Sequence, residues 1–178
     1  MPKLKNFEYF FRIFWSGLCI IILGTIQVGF FSALPWPFNY FNLILSAAVF
    51  ITFAFDYGKG LWFAFFSGLI IDLFSYLPFG TMTFLMMITV VSVNALFNNF
   101  FTNRSLYSLI FLGVLANLIY AAGLLFFNFL FFVLGTANNL EKFLSAPNIL
   151  GMLWQSVFGI GLLLILFFSF NFLSKKLK

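Results

Sequence analysis

Six long apolar segments alternate with short polar, proline-containing or glycine-containing breaks along this chain. They cover residues 13–34, 38–55, 61–77, 81–101, 106–134 and 149–173. A helix of about 20 apolar residues crosses the ~30 Å hydrocarbon core of a bilayer. The pattern therefore predicts an all-α polytopic membrane protein with six transmembrane helices. The fifth segment would exceed about 40 Å as one helix, so it must tilt, kink or project.

Composition excludes a soluble domain of this size. Of the 178 residues, 63% are hydrophobic and only 7% are charged, whereas a solvated surface needs roughly a quarter to a third charged residues. No polar stretch is long enough to form a separate soluble unit, so residues 1–178 are predicted to form a single integral membrane domain. The only cysteine, Cys19, is interpreted as a small apolar packing residue.

The distribution of cations predicts the orientation. With six spans, both termini share one side of the membrane with eight basic residues, and the opposite side holds only Lys142. The eight are Lys3, Lys5, Arg12, Lys59, Arg104, Lys175, Lys176 and Lys178. Because cytoplasmic loops are enriched in Lys and Arg, both termini are predicted to be cytoplasmic. The net charge of +5 is thus a topology signal and does not indicate nucleic-acid binding.

The residues that catalysis and metal binding require are scarce. The sequence has no histidine and four carboxylates in all, so His-based acid–base catalysis and His-ligated metals are excluded, and paired-carboxylate sites are disfavoured. A Gly-rich phosphate loop is also missing. We therefore expect a protein that is not an enzyme, with no catalytic residue, metal or cofactor.

Each apolar segment contains at least one amide or carboxylate side chain in its apolar sequence. The most interior of them are Gln27, Asn42, Asp72, Asn94, Asn117, Asn128 and Gln155. Amides in membrane helices commonly hydrogen-bond neighbouring helices, and we interpret them in this way. The alternative is that several of them converge on a substrate.

Asp72 is the most informative of these residues, because a carboxylate inside a membrane costs roughly 2.5–3.5 kcal/mol. It precedes Pro78 and Gly80, which predict a turn into the fourth helix. Two arrangements are open. Asp72 accepts hydrogen bonds from backbone amides at the start of the fourth helix, near Thr81, or it stays protonated and donates to an amide such as Asn117 or Asn94.

Close helix packing is predicted one turn before Asp72. Gly68 lies on the same helical face and lets a neighbouring backbone approach closely. Gly68, Asp72, Pro78 and Gly80 are therefore interpreted as a rigid helix–turn–helix corner. Direct contact of these residues with a partner or ligand is the alternative.

The stretch from Gly68 to Gly80 carries a family resemblance. A glycine–leucine pair at Gly68, the aspartate Asp72 one turn later and Gly80 eight residues beyond it, with Pro78 before the last glycine, resemble the MreD family of bacterial rod shape-determining membrane proteins. The similarity extends over about residues 37–134. It departs from the family at the start of the second helix, where many members carry Pro-Asp.

The resemblance implies a non-enzymatic scaffold in the bacterial cytoplasmic (inner) membrane that supports lateral peptidoglycan synthesis and cell shape. The implied partners are an MreC-like single-span protein, the RodA glycosyltransferase, a penicillin-binding transpeptidase and MreB filaments. The lipid bilayer surrounds the chain, and the MreB filaments would lie on its cytoplasmic face. The implied fold is similar to the six-helix fold of energy-coupling-factor substrate-binding subunits. Gly68, Asp72, Pro78, Gly80 and Asn117 would then have architectural or partner-facing roles.

A substrate-binding subunit of an energy-coupling-factor vitamin transporter is the alternative function. Such subunits have a similar size and helix number, and typically present an Ala-x-x-x-Ala face on their first helix. The first segment here contains Gly17, Gly24 and Gly29 but no such alanine pair, which disfavours that function.

Overall fold

The computed structural model describes residues 2–101, 105–134 and 146–176, with side-chain surroundings for residues 16–101, 105–134 and 150–172. All regular structure in these ranges is helical, which confirms the all-α prediction. The helices are α1 (Pro2–Gly29), α2 (Leu43–Ala54), α3 (Tyr57–Asp72), α4 (Thr81–Phe100), α5 (Leu106–Val133) and α6 (Ala146–Lys176). Two short 3-10 turns, Phe31–Ala33 and Phe38–Tyr40, connect α1 to α2.

Four helical stretches in the described residues are long and apolar enough to cross a membrane. They are Ser16–Ala33, Thr81–Phe100, Leu106–Val133 and Leu150–Phe172. The chain is therefore a multi-pass membrane protein. With 12 and 16 residues, α2 and α3 are about 18 and 24 Å long, which is less than the ~30 Å hydrocarbon core.

Three of the observed helices differ from the predicted segments. The first segment was predicted over residues 13–34, but α1 begins at Pro2 and ends at Gly29. The second segment was predicted from residue 38, but α2 begins at Leu43, where the side chain of Asn42 accepts the amide of Leu45 at 3.0 Å. The third was predicted to reach residue 77, but α3 ends at Asp72. Helical geometry is disfavoured directly before a proline, and Pro78 follows the apolar residues that continue past the helix.

The short helix α2 is the centre of the bundle, because it contacts all five of the other helices. Eight of its residues are buried: Ile44, Leu45, Ser46, Ala48, Val49, Phe50, Thr52 and Phe53. Many large apolar side chains outside α2 face outward, and Trp62, Leu73 and Ile165 are each at least 65% exposed. Cys19 is exposed on α1 as well, so it does not pack inside the described bundle.

One end of the bundle gathers the C-terminal ends of α2, α4 and α6. Ring contacts join Phe50 to Phe170 at 6.1 Å and Phe53 to Phe97 at 5.5 Å. Basic residues lie at or shortly after these helix ends in the sequence. Lys59 follows α2, Arg104 follows α4, and Lys175 and Lys176 are in the last turn of α6. We call this the basic end. The α3–α4 turn lies at the start of α4, away from it.

Candidate functional site

The site is the corner where α3 ends and α4 begins. At the end of α3 the chain tightens, and Phe74 and Ser75 donate backbone hydrogen bonds to Ile71 and Asp72. The following turn is closed by a bond from the Thr81 amide to the Pro78 carbonyl at 3.2 Å.

Gly80 has φ +94° and ψ −15°, close to the third position of a type II turn, where residues with a side chain are disfavoured. Thr81 is the first residue of α4, and its hydroxyl donates back to the Pro78 carbonyl at 2.7 Å. Thr81 is therefore not the N-cap of α4, since the cap position is Gly80, which has no capping side chain.

Asp72 supplies the missing cap from the preceding helix. Its Oδ1 accepts the amide of Met82 at 2.9 Å, and its Oδ2 accepts the amide of Thr83 at 2.9 Å. The hydroxyl of Thr83 also donates to Oδ2. These amides belong to the first turn of α4, where backbone N–H groups have no carbonyl acceptor within the helix. A carboxylate at a helix N-terminus is also favoured by the helix dipole.

This geometry distinguishes between the two arrangements left open by the sequence. Asp72 is only 4% exposed, and all three groups bonded to it are donors. The carboxylate therefore acts as an acceptor for backbone amides at the start of α4. Asn94 lies 11 residues beyond Thr83 on α4, about 16 Å along the helix axis. It is therefore too far away to accept a hydrogen bond from Asp72.

Gly68 brings the two helices together at the same point. A Cβ atom placed on Gly68 would lie 2.6 Å from the Cα of Thr83, which real Cβ atoms essentially never do. The backbone of α4 therefore lies directly against α3, one turn from Asp72. This close approach is what allows the short aspartate side chain to reach the amides of Met82 and Thr83.

Asn117 belongs to a different place in the bundle. Its amide donates to the Gly113 carbonyl of its own helix at 2.9 Å, and it lies beside Gly159 of α6, opposite Ser46 of α2. The structure thus joins Gly68, Asp72, Pro78 and Gly80, but not Asn117. The link from α5 to the corner is instead Tyr120, whose hydroxyl donates to the Met82 sulfur at 3.4 Å.

The other amides divide between tertiary and local contacts. The side chain of Gln27 on α1 donates to the Phe41 carbonyl and accepts the Leu43 amide, both at 2.8 Å. Gln27 thereby provides hydrogen-bond partners for two backbone groups of the irregular segment that leads into α2. Asn128 bonds only locally, to the Leu124 carbonyl of its own helix at 2.8 Å. Gln155 is 8% exposed and its buried Nε2 has no hydrogen-bond partner among the described residues.

Sequence reasoning did not identify Thr83 or Tyr120 as parts of this framework, and it named Gln27 as a helix-linking amide without its partners. Thr83 could have been found, because the third residue of a helix commonly bonds a capping side chain. Nothing in the sequence distinguishes Gln27 or Tyr120 from other polar residues of the apolar segments.

Comparisons with known proteins identify no relative. No family model matches the chain, and no curated protein and no solved structure matches it either. Within the part of the chain that the structure describes, no group of three or more His, Cys, Asp or Glu residues could hold a metal ion.

Proposed function

We propose that this chain is a non-enzymatic scaffold subunit of the MreD type, acting in the bacterial machinery for cell elongation. The observation that carries the proposal is the corner formed by Gly68, Asp72, Pro78 and Gly80. These are the residues on which the family resemblance depends, and each has a physical role in a single helix–turn–helix junction. A motif whose residues all fix helix geometry favours an architectural function.

The described carboxylates support a structural rather than a catalytic use. Asp72 accepts amides of α4, and Asp56 accepts the amide of Gly58 at 3.2 Å at the start of α3. Both acidic groups therefore cap helices. The remaining carboxylates, Glu8 and Glu141, lie outside the residues whose side chains are described.

Six spans with both termini in the cytoplasm are the topology we propose. Support comes from the basic end, where α2, α4 and α6 finish and basic residues follow in the sequence. Although α2 and α3 are short helices, apolar residues extend both of them: Phe38–Tyr40 precedes α2, and residues 73–77 follow α3. The proposed location is the cytoplasmic membrane.

Partner contacts would be made between helices. The proposed partners are an MreC-like single-span protein and, nearby, RodA, a penicillin-binding transpeptidase and MreB. The corner offers a suitable apolar surface, since Leu73, Phe74 and Phe79 are 60–70% exposed beside the buried Asp72. A partner helix or lipid can cover such a surface.

Co-purification tests this proposal. A tagged copy, expressed at its native level and extracted in mild detergent, is expected to retain a single-span protein with a large extracytoplasmic domain. The alternative function, a vitamin-binding transporter subunit, is favoured by one observation, the buried Nε2 of Gln155, which has no hydrogen-bond partner among the described residues. A bound vitamin in the purified protein, without the single-span partner, would overturn the scaffold proposal.

A further inference from the structure

A cavity of about 140 Å³ opens between α2 and α6 at the basic end. It is lined by Phe50, Phe53, Ala54, Phe167, Phe170 and Asn171. A cavity of about 150 Å³ with apolar walls holds a benzene molecule. This one has room for a short length of hydrocarbon chain, with a single amide-bearing residue among its otherwise apolar lining.

A positive charge lies next to the cavity. The rings of Phe170 and Phe55 lie 5.5 Å apart. The ammonium group of Lys59, a residue of α3, lies 5.6 Å from the centre of the Phe55 ring. Lys59 is an exposed residue in the first turn of α3, where the helix dipole also favours negative charge. The carboxylate of Asp56 beside it is engaged by the Gly58 amide.

A cavity lined mainly by aromatic side chains and lying near a cation at the basic end matches one class of molecule. We infer that the cavity binds an anionic phospholipid, with the start of one acyl chain between α2 and α6 and the phosphate near Lys59. Basic pockets between membrane helices bind anionic headgroups in this way. The inference depends on neither the scaffold proposal nor its partners.

Aromatic walls would also suit a quaternary ammonium group, because cations are attracted to ring faces. The charge of Lys59 opposes that ligand, and so do the basic residues that follow α4 and α6 in the sequence. Phosphatidylcholine, which carries the quaternary ammonium, and phosphatidylglycerol, which carries net negative charge, therefore discriminate between the two possibilities.

Native mass spectrometry of the purified full-length chain, titrated with each lipid in detergent, tests the inference. Phosphatidylglycerol is expected to bind more tightly than phosphatidylcholine. Lys59→Gln is expected to weaken phosphatidylglycerol binding about fivefold, since one lysine near an anionic lipid contributes ~1 kcal/mol. Lys5→Gln removes the same charge elsewhere on the chain and is the matched control, expected to have no effect.

A second variant tests the apolar half of the site. Ala54→Leu fills the cavity and is expected to abolish the tightest phosphatidylglycerol binding step. Inorganic phosphate is expected not to compete. Equal binding by Lys59→Gln and Lys5→Gln, tighter binding of phosphatidylcholine, or full competition by inorganic phosphate would overturn the inference. Because Lys59 is exposed, its variant decides the question even where Ala54→Leu fails to fold.

Discussion

Replacing Asp72 tests whether its carboxylate holds the corner together. Asp72→Leu removes the acceptor for two backbone amides, those of Met82 and Thr83, while retaining a side chain that suits a 96% buried position. Asp72→Asn retains one side-chain oxygen, which can accept one of the two amides. Its NH2 group then faces the other amide, donor against donor.

The expected magnitudes follow from counting these groups. Each buried amide left without an acceptor costs about 1–3 kcal/mol, so Asp72→Leu is expected to destabilise the protein by about 2–6 kcal/mol. Asp72→Asn leaves one amide unsatisfied and is expected to cost about 1–3 kcal/mol. The asparagine variant should therefore be the more stable of the two by at least about 1 kcal/mol.

Equilibrium unfolding in mixed micelles, followed by circular dichroism, measures these differences. Asp56→Asn is the matched control, because Asp56 is also a helix-capping aspartate but is exposed. It is expected to cost less than about 1 kcal/mol, because Asn and Asp are nearly equivalent N-caps and only the interaction of the charge with the helix dipole is lost. Equal stability of Asp72→Asn and Asp72→Leu, or a loss in both no larger than in Asp56→Asn, would refute the capping role of Asp72.

Three further changes test other contacts by the same unfolding measurement. Gly68→Ala places a methyl group 2.6 Å from the Thr83 backbone and is expected to destabilise the protein by about 1–3 kcal/mol; unchanged stability would show that α3 and α4 are not in close contact. Gln27→Leu removes both the donor and the acceptor that serve the chain before α2 and is expected to cost about 2–4 kcal/mol, and a neutral effect would contradict this contact. Gln155→Met replaces a buried amide, whose Nε2 has no hydrogen-bond partner among the described residues, by an apolar chain of similar length and is expected to stabilise the protein by about 1 kcal/mol, whereas a loss of stability would indicate an unrecognised partner for Gln155.

The sequence predicted the all-helical membrane fold because apolar length alone carries that information. It could not predict where α3 ends. Residues 73–77 continue the apolar pattern beyond Asp72, and hydropathy does not distinguish a helical turn from an irregular apolar one. The end of α3 at Asp72 is nevertheless what directs this side chain at α4.

The corner motif was predictable as a set of residues, but its hydrogen bonds were not. Gly68, Asp72 and Gly80 indicated close packing and a turn from local spacing alone. Asn117 was grouped with them, although its contacts are with its own helix and with α6. Which face of α5 meets which helix depends on tertiary packing, and one sequence contains no signal for it. The partners of Gln27 could not be predicted for the same reason.

The shape of cells depleted of this protein is the most direct test of the proposed scaffold function. The account predicts that the host is rod-shaped and that depletion of the protein converts its rods to rounded cells. Re-expression of the wild-type chain should restore cell length and width. Asp72→Leu should restore them less, and the deficit should match its loss of folded protein. Cells that remain rod-shaped when the protein is fully depleted would contradict the account.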